Sequence, residues 1–328
     1  IGGKYKILEF IDKGAQGSVY KAIHEELNRT IAIKLPNAKL STGYQKEAKL
    51  LARIQCPNII QIFDIGDNPQ PWIAMEYVED ALPLDLFMDT NNVSMRNRAR
   101  LLETVCKAIS HLHQIDVVHA DLKPHNILVP KKVDKNSITK SCDNLRIGDL
   151  GISQCSKMNN RTQYHPGQGS PGWWSPEVKD GGYPTTKSDI YSIGRLLKSL
   201  LLDKAETEQK EGLHFLSWVM DNTLQPNPKD RHFEADDISA SLKVFSFLWD
   251  TNQQKDKNKQ VDMPEAICKW ILSNQWGDTF GFQTIRPLLD KYIVDCFDIE
   301  SFEVRSKYEM AKKLMNERDG GYLRWNYD

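Results

Sequence analysis

The chain is most tightly constrained by the run His119-Ala120-Asp121-Leu122-Lys123-Pro124-His125-Asn126 and by Asp149-Leu150-Gly151, whose aspartate follows Asn126 by 23 residues. Asp121 offers a base and Lys123 a cation, while Asn126 and Asp149 are hard oxygen donors suited to magnesium. Brought to one centre, these groups are what transfer of a phosphoryl group from a nucleotide requires. A length of 328 residues is enough for two lobes with a sizeable shared core.

Residues 4–35 alternate apolar and polar positions around turn residues, as in Tyr5-Lys6-Ile7-Leu8-Glu9-Phe10-Ile11, and predict a small antiparallel sheet. Residues 45–55 carry helical spacing at Ala48, Leu51 and Ile54 and stop before Cys56-Pro57, where proline disfavours continuation. Leu101, Val105, Ile109 and Leu112 predict one face of a long helix, and most of the remainder to about residue 250 reads as helix. Residues 250–260 are amides and charges without an aliphatic side chain, which predicts a solvated linker. Beyond it, Ile285, Leu288, Leu289, Tyr292, Ile293, Cys296 and Phe297 form one amphipathic stripe, flanked by helical segments near 264–274 and 301–318.

Charge and cysteine usage narrow the classes further. Lys+Arg number 43 against 44 Asp+Glu, so no net basic charge draws the chain to nucleic acid. The six cysteines (Cys56, Cys106, Cys142, Cys155, Cys268 and Cys296) lack CxxC spacing and read as reduced thiols in a cytoplasmic compartment. No apolar run approaches the ~20 residues of a membrane-spanning helix, and residue 1 is Ile, so the natural chain is expected to start upstream.

Gly14-Ala15-Gln16-Gly17-Ser18-Val19 lies between two predicted strands, where small residues let backbone N–H groups approach phosphates. Alone it is equally an ordinary hairpin, and Lys34, 20 residues beyond Gly14, alone is equally a solvated strand lysine. With the His119–Asn126 run and Asp149, however, residues 4 to about 248 resemble the eukaryotic-type Ser/Thr protein kinases. The resemblance implies an α+β, bilobal fold: N-lobe and hinge over 1–78 with a small antiparallel sheet, and a mainly helical C-lobe over 79–249. A linker at 250–261 and a helical C-terminal extension at 262–328 would follow.

It also implies ATP and Mg2+ as cofactors and Ser or Thr of a protein as acceptor. Asp121 corresponds to the catalytic base and Lys123 to the cation on the transferring group. Asn126 and Asp149 correspond to the metal ligands. The nucleotide would be held by Asp12, Gly14, Gly17, Val19, Ala32, Lys34, Glu47, Met75, Glu76, Val78 and Leu128. Within that set Glu47 would pair with Lys34, and the backbone of Glu76 and Val78 would bond the adenine edge with Met75 behind it.

Gly169-Ser170-Pro171-Gly172-Trp173-Trp174-Ser175-Pro176-Glu177 is similar to the family's peptide-receiving segment, with Ser170 near Asp121 and Lys123. The family pattern pairs Glu177 with Arg231 and makes Asp189 the helix-start brace of the catalytic loop.

The chain departs from the pattern at several places. Asp12 stands for the first glycine of GxGxxG, and Leu150 for the Phe of DFG, where it should pack against Leu51, Ile62 and His119. Residues 130–144 read as an exposed insertion. Arg231 follows Asp189 by only 42 residues, so the helix usually called G should be absent or vestigial, and the extension is expected either to cover the vacated surface or form a homodimer through it, or, equally, to pack merely as part of the core. Ala120 in place of the usual arginine, the trimmed C-lobe and the unfamiliar tail also resemble bacterial effector kinases, which would place the chain in a host cytosol. The alternatives are a pseudokinase scaffold, disfavoured by the complete residue set, and an aminoglycoside-type small-molecule kinase, which would not need the segment ending at Glu177.

Ala120 replaces the arginine of HRD, so the cation that clasps a phosphorylated activation segment in other members is missing. Phosphatase-treated protein, confirmed phosphate-free by mass spectrometry, is therefore expected to work at its full initial rate. A lag that ends as Ser153, Ser156, Thr162 or Ser170 becomes modified would contradict this.

Overall fold

The computed structural model describes residues 1–14, 17–37, 52, 54–131, 138–149, 172–203 and 211–253. Three strands open the chain, β1 (Tyr5–Gly14), β2 (Gly17–His24) and β3 (Arg29–Pro36), paired antiparallel in sequence order. With β4 (Ile62–Gly66) and β5 (Trp72–Met75) they make a five-stranded sheet in the order β1-β2-β3-β5-β4. Side chains alternate across a strand, so Ile31 and Ile33 share one face with Ala22 and Ala74 and, with Tyr5 and Trp72, form the sheet's own core. The opposite face carries Ala32 and Lys34, with Val19 directly across from Lys34 and Met75 across from Ala32.

The register of β1 decides which residues join that second face. It steps from Phe10↔Tyr20 to Asp12↔Val19, so Ile11 is one residue too many. A bulge of one residue moves everything after it to the other face, and Asp12 leaves the side of Phe10 for that of Val19 and Lys34. At the hairpin tip Gly17 has φ +153, and a Cβ there would lie 2.2 Å from the Leu35 carbonyl oxygen, so no other residue fits so close to β3.

The second half is built on a three-stranded sheet, β6 (Ala81–Pro83), β7 (Ile127–Pro130) and β8 (Arg146–Ile147), and on seven helices among the described residues. These are α1 (Leu84–Thr90), α2 (Met95–Gln114), α3 (Ile138–Asp143), α4 (Pro176–Lys179), α5 (Thr186–Leu197, extended by a π-helical turn to Leu202), α6 (Glu211–Thr223) and α7 (Ala235–Gln253). Ser94 caps α2 by accepting the Asn97 N–H, and the helix buries Leu101, Leu102, Val105, Ile109 and Leu112 in the main core, packed against α7. Each fully buried Leu or Ile there is worth roughly 1.5–3 kcal/mol. α5 and the end of α6 approach so closely that a Cβ on Gly194 would fall 2.3 Å from Thr223 Oγ1.

Two sequence readings change here. The insertion is not wholly exposed: residues 138–143 are helical, and Ser141, Cys142 and Leu145 are buried. Cys142 and the Arg100–Asp143 pair, at 2.8 Å on both guanidinium nitrogens, anchor it to α2. α7 continues to Gln253, into the residues expected to be linker. Cys56, Cys106 and Cys142 are unpaired thiols, while Cys155, Cys268 and Cys296 lie outside the described residues. So do Glu47, Leu51, Leu150, residues 169–171 and the 262–328 extension. The described residues between Asp203 and Arg231 hold one α-helix, α6.

Arg231 is wholly buried, and all five of its N–H donors are used. Nε reaches the Gln225 carbonyl, Nη1 reaches Glu177 Oε1 and the Lys187 carbonyl, and Nη2 reaches Glu177 Oε2 and the Pro226 carbonyl. Burial alone would raise the Glu177 carboxyl, but the Arg231 hydrogen bonds and charge outweigh it and hold the group below the usual range. A depressed carboxylate stabilises the fold above its unfolded value of about 4.3, and this contribution is lost as pH falls through the folded value. Glu177→Gln, which strands a buried guanidinium, is expected to cost about 3–5 kcal/mol at pH 7 in urea unfolding. The gap from wild type should shrink below about pH 4; a gap independent of pH would remove Glu177 as the group responsible.

Candidate active site

The second face of the five-stranded sheet is a roof made of Asp12, Val19, Ala32 and Lys34, with Gly14 and Gly17 paired at the hairpin tip. Met75 ends β5, and the Glu76 N–H donates to the Gln61 carbonyl, which leaves the Glu76 carbonyl and the Val78 N–H without a backbone partner among the described residues. The Glu76 carboxylate is fixed by Arg146 Nε at 2.8 Å. Leu128 is half-buried and alternates with the buried Ile127 and Val129 of β7. Val19 and Ala32 of the sheet and Leu128 of β7 are the apolar side chains, and the Glu76 carbonyl and Val78 N–H the backbone groups, that would flank and edge an adenine ring.

The chemistry sits on the loop 119–126. His119 and Ala120 donate their N–H groups to the two oxygens of Asp189, at 2.8 and 2.9 Å, and His113 Nε2 meets the same carboxylate at 2.9 Å. Asp189 is only 1% exposed and stands in the first turn of α5. This carboxylate holds Ala120 at φ +67, a left-handed conformation costing about 1–3 kcal/mol in a non-glycine residue.

Burial holds the His119 ring below its ordinary pKa, so it is neutral at pH 7. Its partners assign the tautomer: Nδ1 accepts the Asp121 N–H at 3.3 Å and Nε2–H donates to the Gly148 carbonyl at 3.2 Å. The Gly148 N–H in turn donates to the Asn126 carbonyl at 2.8 Å. Gly148 is thus bonded on both sides to the loop, which brings Asp149 beside Asn126.

Asp121 Oδ2 accepts from Lys123 Nζ at 2.8 Å and from Asn126 Nδ2 at 3.1 Å, while Asn126 Nδ2 also reaches the Asp121 carbonyl at 2.7 Å. The other oxygen, Oδ1, is buried and has no hydrogen-bond partner among the described residues. A buried acceptor left open costs about 1–3 kcal/mol, which marks a functional position. Lys34 Nζ reaches Asp149 Oδ1 at 2.6 Å across 115 positions. Burial would raise the Asp149 carboxyl, yet Lys34, helped by Lys123, keeps it below the usual range and ionised. With its amide N–H groups engaged, Asn126 presents its side-chain oxygen, and Asp149 keeps its second oxygen. The two fit a hard divalent cation such as Mg2+.

The structure therefore gathers Lys34, Asp121, Lys123, Asn126 and Asp149, with the roof and hinge residues around them, and leaves Glu47 outside the described residues. Sequence reasoning did not assign His113, His125 or Arg146. His113 lies four positions beyond Ile109 on the apolar face of α2, and a polar side chain in that stripe was the available signal.

This bilobal fold with its base, cation and metal-donor set is that of a phosphoryl-transfer domain. Residues 5–269 match the protein kinase domain family, and the chain belongs to that family. It is similar to serine/threonine-protein kinase PrkC of Bacillus subtilis, 32% identical over 300 residues that cover 83% of this chain and 44% of that protein. It is also similar to serine/threonine-protein kinase PknB of Mycolicibacterium smegmatis, 27% identical over 214 residues (61% of this chain, 33% of that protein). A third relative is serine/threonine-protein kinase pkn3 of Myxococcus xanthus, 26% identical over 257 residues (74% and 45%). The chain thus spans less than half the length of these curated relatives. No helix of the described residues is long and apolar enough to cross a membrane.

If Asp189 is what orders the loop, Asp189→Asn should lower the hydrogen-exchange protection of the His119 and Ala120 amides by about 10- to 100-fold, the equivalent of losing one charged hydrogen bond. Unchanged protection would assign the loop's order to packing alone.

Proposed function

We propose that this chain transfers the gamma phosphate of ATP to serine or threonine hydroxyls of proteins, with Mg2+ as cofactor. The observation that carries the reading is the asymmetry of Asp121: one carboxylate oxygen gripped by Lys123 and Asn126, the other buried and open. In this reading Asp121 Oδ1 accepts a hydrogen bond from the acceptor hydroxyl, orients it for in-line attack and takes its proton. Lys123 stays close enough to Asp121 to place positive charge beside the transferring group as the bond to the acceptor forms.

The roof and hinge hold the nucleotide: Ala32, Val19 and Leu128 sandwich the adenine, the Val78 N–H and Glu76 carbonyl bond its edge, and Met75 closes the slot behind it. Lys34 offsets phosphate charge and keeps Asp149 ionised. Asn126 and Asp149 would hold Mg2+, which when bound would supply positive charge to neutralise the phosphates. Trp173 and Trp174 precede Glu177, whose pair with Arg231 fixes the floor on which a peptide would lie. Serine or threonine as acceptor is favoured by Lys123 and by Ser170, and reduced thiols at Cys56, Cys106 and Cys142 favour a cytoplasmic setting.

Incubating the full chain with Mg2+, labelled ATP and a cell lysate should label proteins on serine or threonine. Asp121→Ala is expected to lower the rate by at least about 100-fold, the usual loss when a general base is removed. Equal labelling by Asp121→Ala would reject the assignment of the base, and labelling mainly on tyrosine would reject the acceptor class.

A further inference from the structure

One side-chain contact joins the roof to the catalytic loop at its phosphate end. Asp12 Oδ2 meets His125 Nε2 at 3.2 Å, across 113 positions of sequence. Neither residue is there by the family pattern's requirement: Asp12 stands where a glycine is usual, and the bulge at Ile11 is what turns it toward the cleft. His125 sits in the 3-10 turn Pro124–Asn126, between the lysine that grips Asp121 and the asparagine that would hold metal.

A carboxylate on the roof of a triphosphate site would repel the phosphates if both its oxygens faced them. Here both are committed elsewhere, Oδ1 to the Lys13 N–H at 2.7 Å and Oδ2 to His125. The contact can exist only while the hairpin lies down on the loop, so it stabilises the closed cleft over the open one.

We infer that Asp12 and His125 are positioning residues that latch the β1–β2 hairpin over the bound nucleotide and slow its departure. The inference rests on the nucleotide reading above and adds to it a specific closing contact. Lid opening and product release set the turnover of many enzymes, and the latch would act on ADP release. Both side chains are about half exposed, 53% for Asp12 and 55% for His125, so the pair is screened by salt and its effect is modest.

The test is stopped-flow release of N-methylanthraniloyl-ADP from the full chain in Mg2+, chased with unlabelled ADP, for wild type, Asp12→Ala, His125→Ala and the double variant. Each single change should speed release by about 1.5- to 5-fold, the range for an exposed ion pair, and the double variant should be no faster than the faster single. Release rates that are unchanged, or single effects that multiply in the double variant, would overturn the latch while leaving the nucleotide site standing. A wild type that gives no magnesium-dependent signal would overturn the nucleotide reading and the latch together.

Discussion

Everything that reacts in this molecule hangs from the carboxylate of Asp189. Three donors converge on it from two segments, His113 at the end of α2 and the backbone of His119 and Ala120 in the catalytic loop, while the carboxylate itself belongs to α5. A buried ionised group is costly unless its lone pairs are filled, and here the filling is the loop's own backbone. The loop therefore takes one shape, including the left-handed turn at Ala120, because any other would strand charge in the core. His119 passes that order on to Gly148, and Gly148 sets Asp149.

Around this frame the two lobes meet through a small number of long-range polar contacts. Lys34 to Asp149 joins the roof to the metal-donor side, and Asp12 to His125 joins it to the loop. At the hinge, Glu76 is held by Arg146 of β8. Lys34 is about one-tenth exposed and its partnership is correspondingly strong, whereas the Asp12 pair lies at the mouth in water. The gradient from dry to wet contacts leaves the inner site fixed and the hairpin free to part from the loop.

The fold and the reacting residues were legible because their chemistry is concentrated in short runs. Asp121, Lys123 and Asn126 stand within six positions, and the alternation of Tyr5–Ile11 and Ile31–Lys34 exposes the strands directly. What stayed hidden was of two kinds. His113, His125 and Arg146 depend on partners 70 or more positions away; nothing local distinguishes His125 and Arg146 from solvated residues, and His113 is marked only by standing in an apolar stripe. The bulge at Ile11 breaks the period-two pattern just where it matters: strict alternation would keep Asp12 on the side of Phe10, and only the family resemblance grouped it with the nucleotide residues. The 138–143 helix was missed because Ser141 and Cys142 are buried by docking on α2, a tertiary effect that composition does not carry.

The five-fold coordination of Arg231 has a consequence for how the molecule comes apart. Its donors draw together Glu177, Lys187, Gln225 and Pro226, four points that span nearly fifty positions of chain. No one of these segments can swing out alone without leaving a guanidinium unsolvated in the interior, so sub-global opening is suppressed there. In the proposed reading the ground beneath the acceptor peptide would thus belong to a slow-opening unit of the lobe, while the hairpin above it is held by a water-exposed contact. Breathing of the cleft would accordingly be one-sided: the nucleotide cover would move and the peptide platform would stay.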